Sequence, residues 1–485
     1  MEELREMEEE DVKNVKVIQP VGSSDHDYDN ISENLNQQSS EDDADLSGCG
    51  GCSNSTCCDP RRGPYRFAGL FFMCFLGFGS YFCYDTPGSL QDQIKESMEV
   101  NTTWFSTLYS LYSWPNVILC FVGGFLIDRV FGIRWGAIIF STLVTIGQAV
   151  FALGAFTNQF WCMDLGRFIF GIGGESLAVA QNTYTVSWFK GRELNTVFGL
   201  QLSMARVGST VNFLTMGPLF AWVNTFSDGY KALGISLFLA GITCIFSLVC
   251  AFILGLLDKR RSRVLKLDLA ESGEVVELKD VFTFKASFWL LSVICVTYYV
   301  AIFPFIGLAK YFFMRKYGFD EANANGVSSL VYVISAFASP VLGAVVDLMG
   351  RNILMVFIAV LTTLLCHGVL AFTFLNPYIP MSIMGLAYSL LASALWPMVA
   401  LIIPEHQLGT AYGLVRDSRR FRLSYMPIVA SLVLIIKCHK LLKMFMAWEV
   451  ALLSTVIIWF SDAANGGILN LSVQQRKRME DEANQ

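Results

Sequence analysis

Two residues in this sequence carry charge where charge is hardest to hold: Glu175 and Arg206. Glu175 stands fifteen residues before Lys190, and Arg206 stands fourteen after Arg192. At a helical rise of ~1.5 Å per residue each lies ~21–22 Å from those basic positions, about half of a ~40–45 Å membrane with its headgroups. A charge at that depth costs at least ~2.5–3.5 kcal/mol, so an acid and a base there need a reason. A structural salt bridge is one reason. The other is a pair of separated ligands for a zwitterion, with the carboxylate for its ammonium and the guanidinium fork for its carboxylate. Aromatic and polar residues fall at comparable depths: Tyr81, Tyr84 and Asp85, then Tyr109, Tyr112, Trp114 and Asn116, then Tyr298 and Tyr299, and finally Trp396. Most such rings are packing or interfacial anchors. Tyr84, Tyr299 and Trp396 are the candidate contacts.

Only a membrane-embedded helical bundle can position such residues. The chain has 485 residues, of which 54% are hydrophobic and 16% charged, and a mean hydropathy of +0.48. Soluble domains carry about 25% charged residues. About twelve spans of ~20 residues would fill half of such a length. A soluble enzyme, a secreted disulfide scaffold and a nucleic-acid binder are therefore excluded. With 4 His and no Gly-x-Ser-x-Gly, Walker or His-Glu-x-x-His pattern, there is little for hydrolytic or metal chemistry to use. No enzyme, cofactor or metal is expected. The Cys residues mostly sit inside apolar runs as small hydrophobes; the cluster Cys49, Cys52, Cys57 and Cys58 lacks a zinc spacing and suits juxtamembrane palmitoylation better.

The apolar runs are 66–86, 103–127, 134–155, 163–188, 194–220, 232–257, 286–313, 325–347, 351–374, 379–403, a short one at 424–436, and 444–461. The charged stretch from Asp258 to Lys285 divides them six and six. The expected organisation is an acidic tail at 1–62, too poor in apolar residues to offset its ordering entropy; a six-helix bundle at 63–258; a linker at 259–285; a second six-helix bundle at 286–462; and a tail at 463–485. Arg61, Arg62, Arg66, Arg129, Arg134, Lys190, Arg192, the basic run 259–263 and Arg476–Arg478 all fall on one side of the membrane for this count, which puts both termini in the cytosol.

The two halves repeat weakly. Gly124-Phe-Leu-Ile-Asp128 is answered by Gly343-Ala-Val-Val-Asp347, and Leu194-Asn-Thr196-Val-Phe198-Gly199-Leu200 by Leu408-Gly-Thr410-Ala-Tyr412-Gly413-Leu414. A duplicated six-helix unit is an arrangement used by alternating-access transporters. Gly124 and Asp128 with Arg129, and Asp347 in the second half, are the candidate gating residues: glycine lets helices approach closely, and an aspartate suits the positive N-terminal end of a neighbouring helix.

These motifs carry a resemblance. Gly124 to Arg134 resembles the loop signature of the major facilitator superfamily, with one extra residue, Phe131. Arg167-Phe-Ile-Phe-Gly171-Ile-Gly173-Gly174-Glu175 resembles that superfamily's fourth-helix signature. More narrowly, Met73–Tyr84, Trp114-Pro-Asn116, Gly171–Thr183, Gln201–Arg206 and Ala394–Met398 resemble the major facilitator superfamily domain-containing protein 1 family over residues 57 to 414. The resemblance implies an all-α membrane protein of the major facilitator fold, two bundles of six helices. It implies a multi-pass lysosomal transporter that exports dipeptides, favouring cationic ones, as a uniporter. Glu175 would hold the peptide's amino end and Arg206 its carboxylate. It also implies a glycosylated lysosomal membrane protein as accessory partner; a homodimer is a further candidate assembly.

Smaller signals complete the reading. Asn101-Thr-Thr103 is a glycosylation sequon in the first non-cytosolic loop, whereas those at Asn30, Asn54 and Asn470 fall on the cytosolic side. Tyr28-Asp-Asn-Ile31 fits a tyrosine-based sorting pattern. His367 reads as a hydrogen-bonded core residue. From Val415 to Lys443 the family pattern fails: Arg416, Asp417, Arg419, Arg420 and Arg422 stand where the eleventh helix should be apolar, and 424–436 is too short to span. A splicing or gene-model error would account for this. If the segment is genuine, the alternative is a non-transporting membrane scaffold. A proton-coupled peptide symporter is the other rival, but the first helix lacks that family's Glu-x-x-Glu-Arg arrangement.

Overall fold

The computed structural model describes residues 63–189, 193–265, 284–423 and 452–463, with single positions at 60, 281, 469, 471 and 475. Tyr28, Ile31, the four-cysteine cluster, Asn30, Asn54, Asn470 and residues 424–451 lie outside them. Among the described residues the regular elements are all helical. The first half holds α1 (Gly63–Leu76), α2 (Phe78–Ser89), α3 (Gln91–Ser97), α4 (Thr102–Ser113), α5 (Asn116–Leu126), a π turn (Ile127–Phe131), α6 (Gly132–Phe156), α7 (Phe160–Phe189), α8 (Leu194–Val223) and α9 (Gly229–Leu265). The second half holds α10 (Ala286–Tyr317), α11 (Glu321–Met349), α12 (Asn352–Phe372), α13 (Tyr378–Ile402) and α14 (Leu408–Leu423), followed by the apolar helix α15 (Leu452–Ala463).

Six stretches among these are both long and apolar enough to cross a membrane: Gly63–Ser89, Thr103–Phe156, Gly229–Leu265, Asn323–Met349, Asn352–Phe372 and Tyr378–Ile402. Thr103–Phe156 is 54 residues long, twice a crossing at ~1.5 Å per residue, and turns at Gly132, whose φ of 66° favours glycine. The twelve spans expected are therefore not all marked by hydropathy. α7, α8 and α10, at 30, 30 and 32 residues, have the length for it. Arg167, Glu175, Gln181 and Asn182 on α7, and Gln201, Arg206 and Asn212 on α8, dilute their apolarity. α7 is also buried over most of its length, so it needs less apolar surface.

Proline and glycine dictate how the helices meet. Pro87 inside α2 has no N–H, which leaves the Cys83 carbonyl four residues earlier without its helical donor. Arg167 of α7 takes that place, donating from Nη1 to Cys83 O at 3.2 Å and from Nη2 to Tyr84 O at 3.1 Å. Pro340 inside α11 frees the Ala336 carbonyl in the same way, and Ser203 Oγ of α8 donates to it. Each proline thus couples its helix to a polar side chain of a neighbour.

The two halves meet along two helix pairs, α5 with α14 and α8 with α11, and both seams are built on glycine. A Cβ at Gly124 would stand 2.0 Å from Gly409 O, and one at Gly413 would stand 2.4 Å from Cys120 O. The second seam repeats this: a Cβ at Gly343 would stand 2.4 Å from Asn195 O, and one at Gly199 would stand 2.2 Å from Ser339 O. Backbones this close leave no room for any larger residue.

Candidate functional site

The internal repeat reappears in space as two latches at one end of the bundle. Asp128, in the π turn, accepts hydrogen bonds from Gly409 N at 2.9 Å, Thr410 N at 2.6 Å and Thr410 Oγ1 at 2.7 Å. Asp347, at the end of α11, accepts from Asn195 N at 3.0 Å, Asn195 Nδ2 at 2.7 Å, Thr196 N at 2.6 Å and Thr196 Oγ1 at 2.5 Å. Each carboxylate caps the first turn of a helix from the other half, where backbone N–H groups have no partner of their own and the helix dipole favours an anion. The π turn also absorbs the one-residue surplus at Phe131, since a single π turn accommodates one extra residue in a helical path. Arg129 sits apart from this cap. It is exposed, and its guanidinium lies 5.7 Å from the Phe125 ring centroid.

Between the latches and the opposite end lie the two charges. Glu175 is fourteen residues from Phe189, the latch end of α7, and Arg206 is twelve from Leu194, the latch end of α8. Helical rise sets them at ~21 and ~18 Å, nearly one depth. The two groups sit in different surroundings. Glu175 Oε1 accepts from the Tyr112 hydroxyl at 2.8 Å, and Oε2 accepts from Arg416 Nη1 at 2.9 Å. The Glu175 carboxylate is therefore ion-paired, with Arg416 rather than with Arg206. The cause is α14: it continues as a helix through Arg416 to Leu423, which brings the Arg416 guanidinium within reach of the centre.

Among the described residues no carboxylate is in hydrogen-bond contact with Arg206. Its Nη2 donates to the Tyr388 hydroxyl, its guanidinium lies 5.0 Å from the ring centroids of both Tyr332 and Tyr388, and its Nε is buried with no hydrogen-bond partner among the described residues. Asp85, which takes a hydrogen bond from Ser209, adds its field to the same place.

Aromatic rings join the two charges into one centre. Trp396 Nε1 donates to Tyr299 Oη at 3.2 Å, and the Tyr299 ring meets Tyr388 edge-on at 6.4 Å. The Arg416 guanidinium lies 5.5 Å from the Trp396 ring. Tyr84 stacks on Tyr112 at 4.8 Å, which places it behind Glu175. Thus Tyr84, Tyr299 and Trp396 all reach the cluster that contains Glu175 and Arg206. Tyr332, Tyr388 and Arg416 were not singled out as site residues. No local motif announces the two tyrosines. Arg416 reads in sequence only as one of several charges spoiling an apolar run.

Arg167 stands beside this centre. It is fully buried and ringed by Tyr84, Tyr109, Tyr112, Phe151 and Phe170 at 5.2–5.8 Å. Asn101 lies at the other end of the chain's path through α4 and α5 from Asp128. It is exposed, and its side-chain oxygen caps α4 by accepting from Trp104 N at 2.9 Å. His367 is buried, with Nδ1 2.8 Å from Thr363 O.

The family model described as Major Facilitator Superfamily matches residues 71–418. The chain belongs to the major facilitator superfamily. Among curated proteins it is similar to the Bos taurus protein named lysosomal dipeptide transporter MFSD1, 57% identical over 426 residues that make up 87% of this chain and 91% of the relative. The Homo sapiens and Danio rerio proteins of the same name are 56% and 55% identical over 87% of this chain and 92% of each relative. Solved structures agree on the major facilitator fold. The proton:xylose symporter XylE superposes with a TM-score of 0.60 at 13% identity, over 81% of this chain and 95% of that one. FucP in its outward conformation does so with a TM-score of 0.61 at 12% identity, over 81% and 99%. Paired latches between halves and a charged centre midway suit the superfamily's alternating-access architecture, whose sites sit near the bilayer midplane between repeats.

Proposed function

We propose that this chain moves dipeptides, including those with cationic side chains, out of the lysosome by alternating-access uniport. In this reading the halves are two six-helix bundles, 63–258 and 286–462, both termini are cytosolic, and the latch end faces the cytosol. Asn101 then faces the lumen and carries a glycan, within reach of a glycosylated accessory membrane protein. The names of relatives more than half identical over nearly all of their length support the substrate class. The observation that carries the reading is the centre itself. An acid and a base stand at nearly one depth on consecutive helices, Glu175 and Arg206, faced by the second half's Tyr299, Tyr332, Tyr388 and Trp396. An extended dipeptide spans at most ~7 Å; in this reading its carboxylate engages Arg206 and its ammonium takes the place that Arg416 holds beside Glu175. Arg206, held by phenol and ring faces, retains donors for a substrate carboxylate.

The test is at that carboxylate. Lys-Ala and its C-terminal amide are compared by thermal stabilisation of the purified protein and by uptake into proteoliposomes. The wild type prefers the free carboxylate at least fivefold, and Arg206→Ala removes the difference. An Arg206→Ala protein that still folds and still tells the two apart rules the assignment out. A non-transporting scaffold is the second reading, favoured by the Glu175–Arg416 pair that ties α7 to α14. Stabilisation by Lys-Ala but not by free lysine excludes it.

A further inference from the structure

We propose that Arg416 is an internal ligand of Glu175, occupying the place of a substrate's ammonium, and that it turns the site toward peptides whose amino end is uncharged, such as N-acylated dipeptides. The inference rests on the reading of Glu175 as the amine-binding acid.

Geometry supports it. α14 starts at the latch end with Leu408, so Arg416 branches off ~12 Å up the helix, and its side chain must extend toward the Glu175 depth to meet Oε2 at 2.9 Å. Oε1 is taken by Tyr112, so an arriving ammonium finds both carboxylate oxygens engaged. The position of the guanidinium resembles a cation-binding site more than a surface ion pair. It lies over the Trp396 indole at 5.5 Å and is hydrogen-bonded with Tyr81, the kind of aromatic enclosure that takes ammonium groups. Its Nε is buried without a hydrogen-bond partner among the described residues. The guanidinium is thus held by its charge and by some of its five donors, not by a full set.

The consequence for selectivity follows from charge. Two acids, Glu175 and Asp85, face Arg206, Arg416 and the neighbouring Arg167 at this centre, and Glu175 is the one carboxylate that Arg416 contacts among the described residues. A free-amine dipeptide can reach Glu175 only by displacing Arg416, which leaves a buried cation unpaired, and breaking a buried pair is strongly unfavourable. An N-acylated peptide makes no such demand. It needs only a cation for its carboxylate, and Arg206 is in place. Arg416 is therefore a specificity-determining residue that no local sequence motif marks.

The experiment compares Lys-Ala with Nα-acetyl-Lys-Ala, which share the side-chain ammonium and differ at the α-amine. Binding to the full chain is read by thermal stabilisation and by proteoliposome uptake. The wild type is expected to favour the acetylated peptide. Arg416→Gln is expected to raise the preference for Lys-Ala at least tenfold over wild type, and Arg416→Gln with Glu175→Gln to abolish that gain. A wild-type preference for the free amine overturns the proposal, as does a folded Arg416→Gln protein with an unchanged ratio. Should Arg416→Gln fail to accumulate, the wild-type ratio decides alone. Dependence on Arg206 for the carboxylate, with the acetylation ratio failing, sinks only this inference. Loss of the Arg206 dependence sinks the functional reading beneath it.

Discussion

The latches permit a quantitative prediction because each aspartate takes several hydrogen bonds from the first turn of a helix in the other half. Gly409 and Thr410 lie in the first turn of α14, where N–H groups find no intrahelical acceptor, and both donate to Asp128. Asp128→Asn keeps the shape but removes the charge and turns one oxygen into a donor that faces other donors. Hydrogen bonds to charged groups contribute ~1.5–3 kcal/mol against ~0.5–1.5 for neutral ones. A carboxylate at a partly buried helix N-terminus adds up to ~2 kcal/mol. A net loss of ~2–3 kcal/mol is expected, a shift of ~30–150-fold in the opening equilibrium. Amide hydrogen exchange reads it directly: residues 408–412 should exchange ~30–150-fold faster in Asp128→Asn than in wild type. The second latch gives the sharper test. If the halves part as bodies, the unmutated Asp347 latch opens with the first, and residues 194–197 must accelerate too. Acceleration confined to 408–412 would show that Asp128 is a local helix cap and no gate. No acceleration at either place would show that the bonds to Asp128 do not limit opening. Dipeptide binding should be near normal in the same variant, while turnover slows, because the latch lies ~20 Å below the charges by helix rise.

Other perturbations follow from the same geometry. Gly124→Ala places a methyl 2.0 Å from Gly409 O and should destabilise by ~1–3 kcal/mol, seen as a lowered melting temperature. Gly217→Ala, on α8 with nothing within 4 Å, should leave melting unchanged or slightly raised, which controls for the substitution itself. Arg167→Ala strands the Cys83 and Tyr84 carbonyls and should abolish stable folding; recovery of the wild-type melting temperature in that variant would contradict the role given to Pro87. Thr103→Ala destroys the sequon but keeps the Asn101 cap on Trp104. It should remove the glycan mobility shift with melting intact, whereas Asn101→Gln should remove the shift and cost about 1 kcal/mol of helix capping. A shift that persists in both would invert the proposed orientation.

Much of the fold was legible because the signals were local or repeated. Among the described residues the apolar runs bounded by charge fall on helices, and the Gly-x-x-x-Asp repeat suits an aspartate at the N-terminal end of a neighbouring helix. Dipole physics gives the kind of place such a carboxylate takes, the first turn of a helix, but not which helix; the partners Thr410 and Thr196 are tertiary information. Length and hydropathy were less informative for α7 and α8. The residues that make them interesting, Glu175 and Arg206 among them, are the ones that lower their apolarity.

What the sequence could not show is the company Glu175 keeps. Tyr112 is 63 residues away and Arg416 is 241 residues away, and neither separation leaves a trace in periodicity. Depth arithmetic brought Glu175 and Arg206 to one level because both count from a basic edge on their own helices. The same arithmetic applied to Arg416, eight residues from the start of α14, gives ~12 Å, short of the centre. Only the reach of the arginine side chain closes the difference. A long flexible cation can therefore serve a site one or two turns from its own backbone position, as side chains that snorkel do at membrane edges. In this chain it snorkels inward, toward an acid, and that acid's availability to a substrate depends on whether the arginine yields.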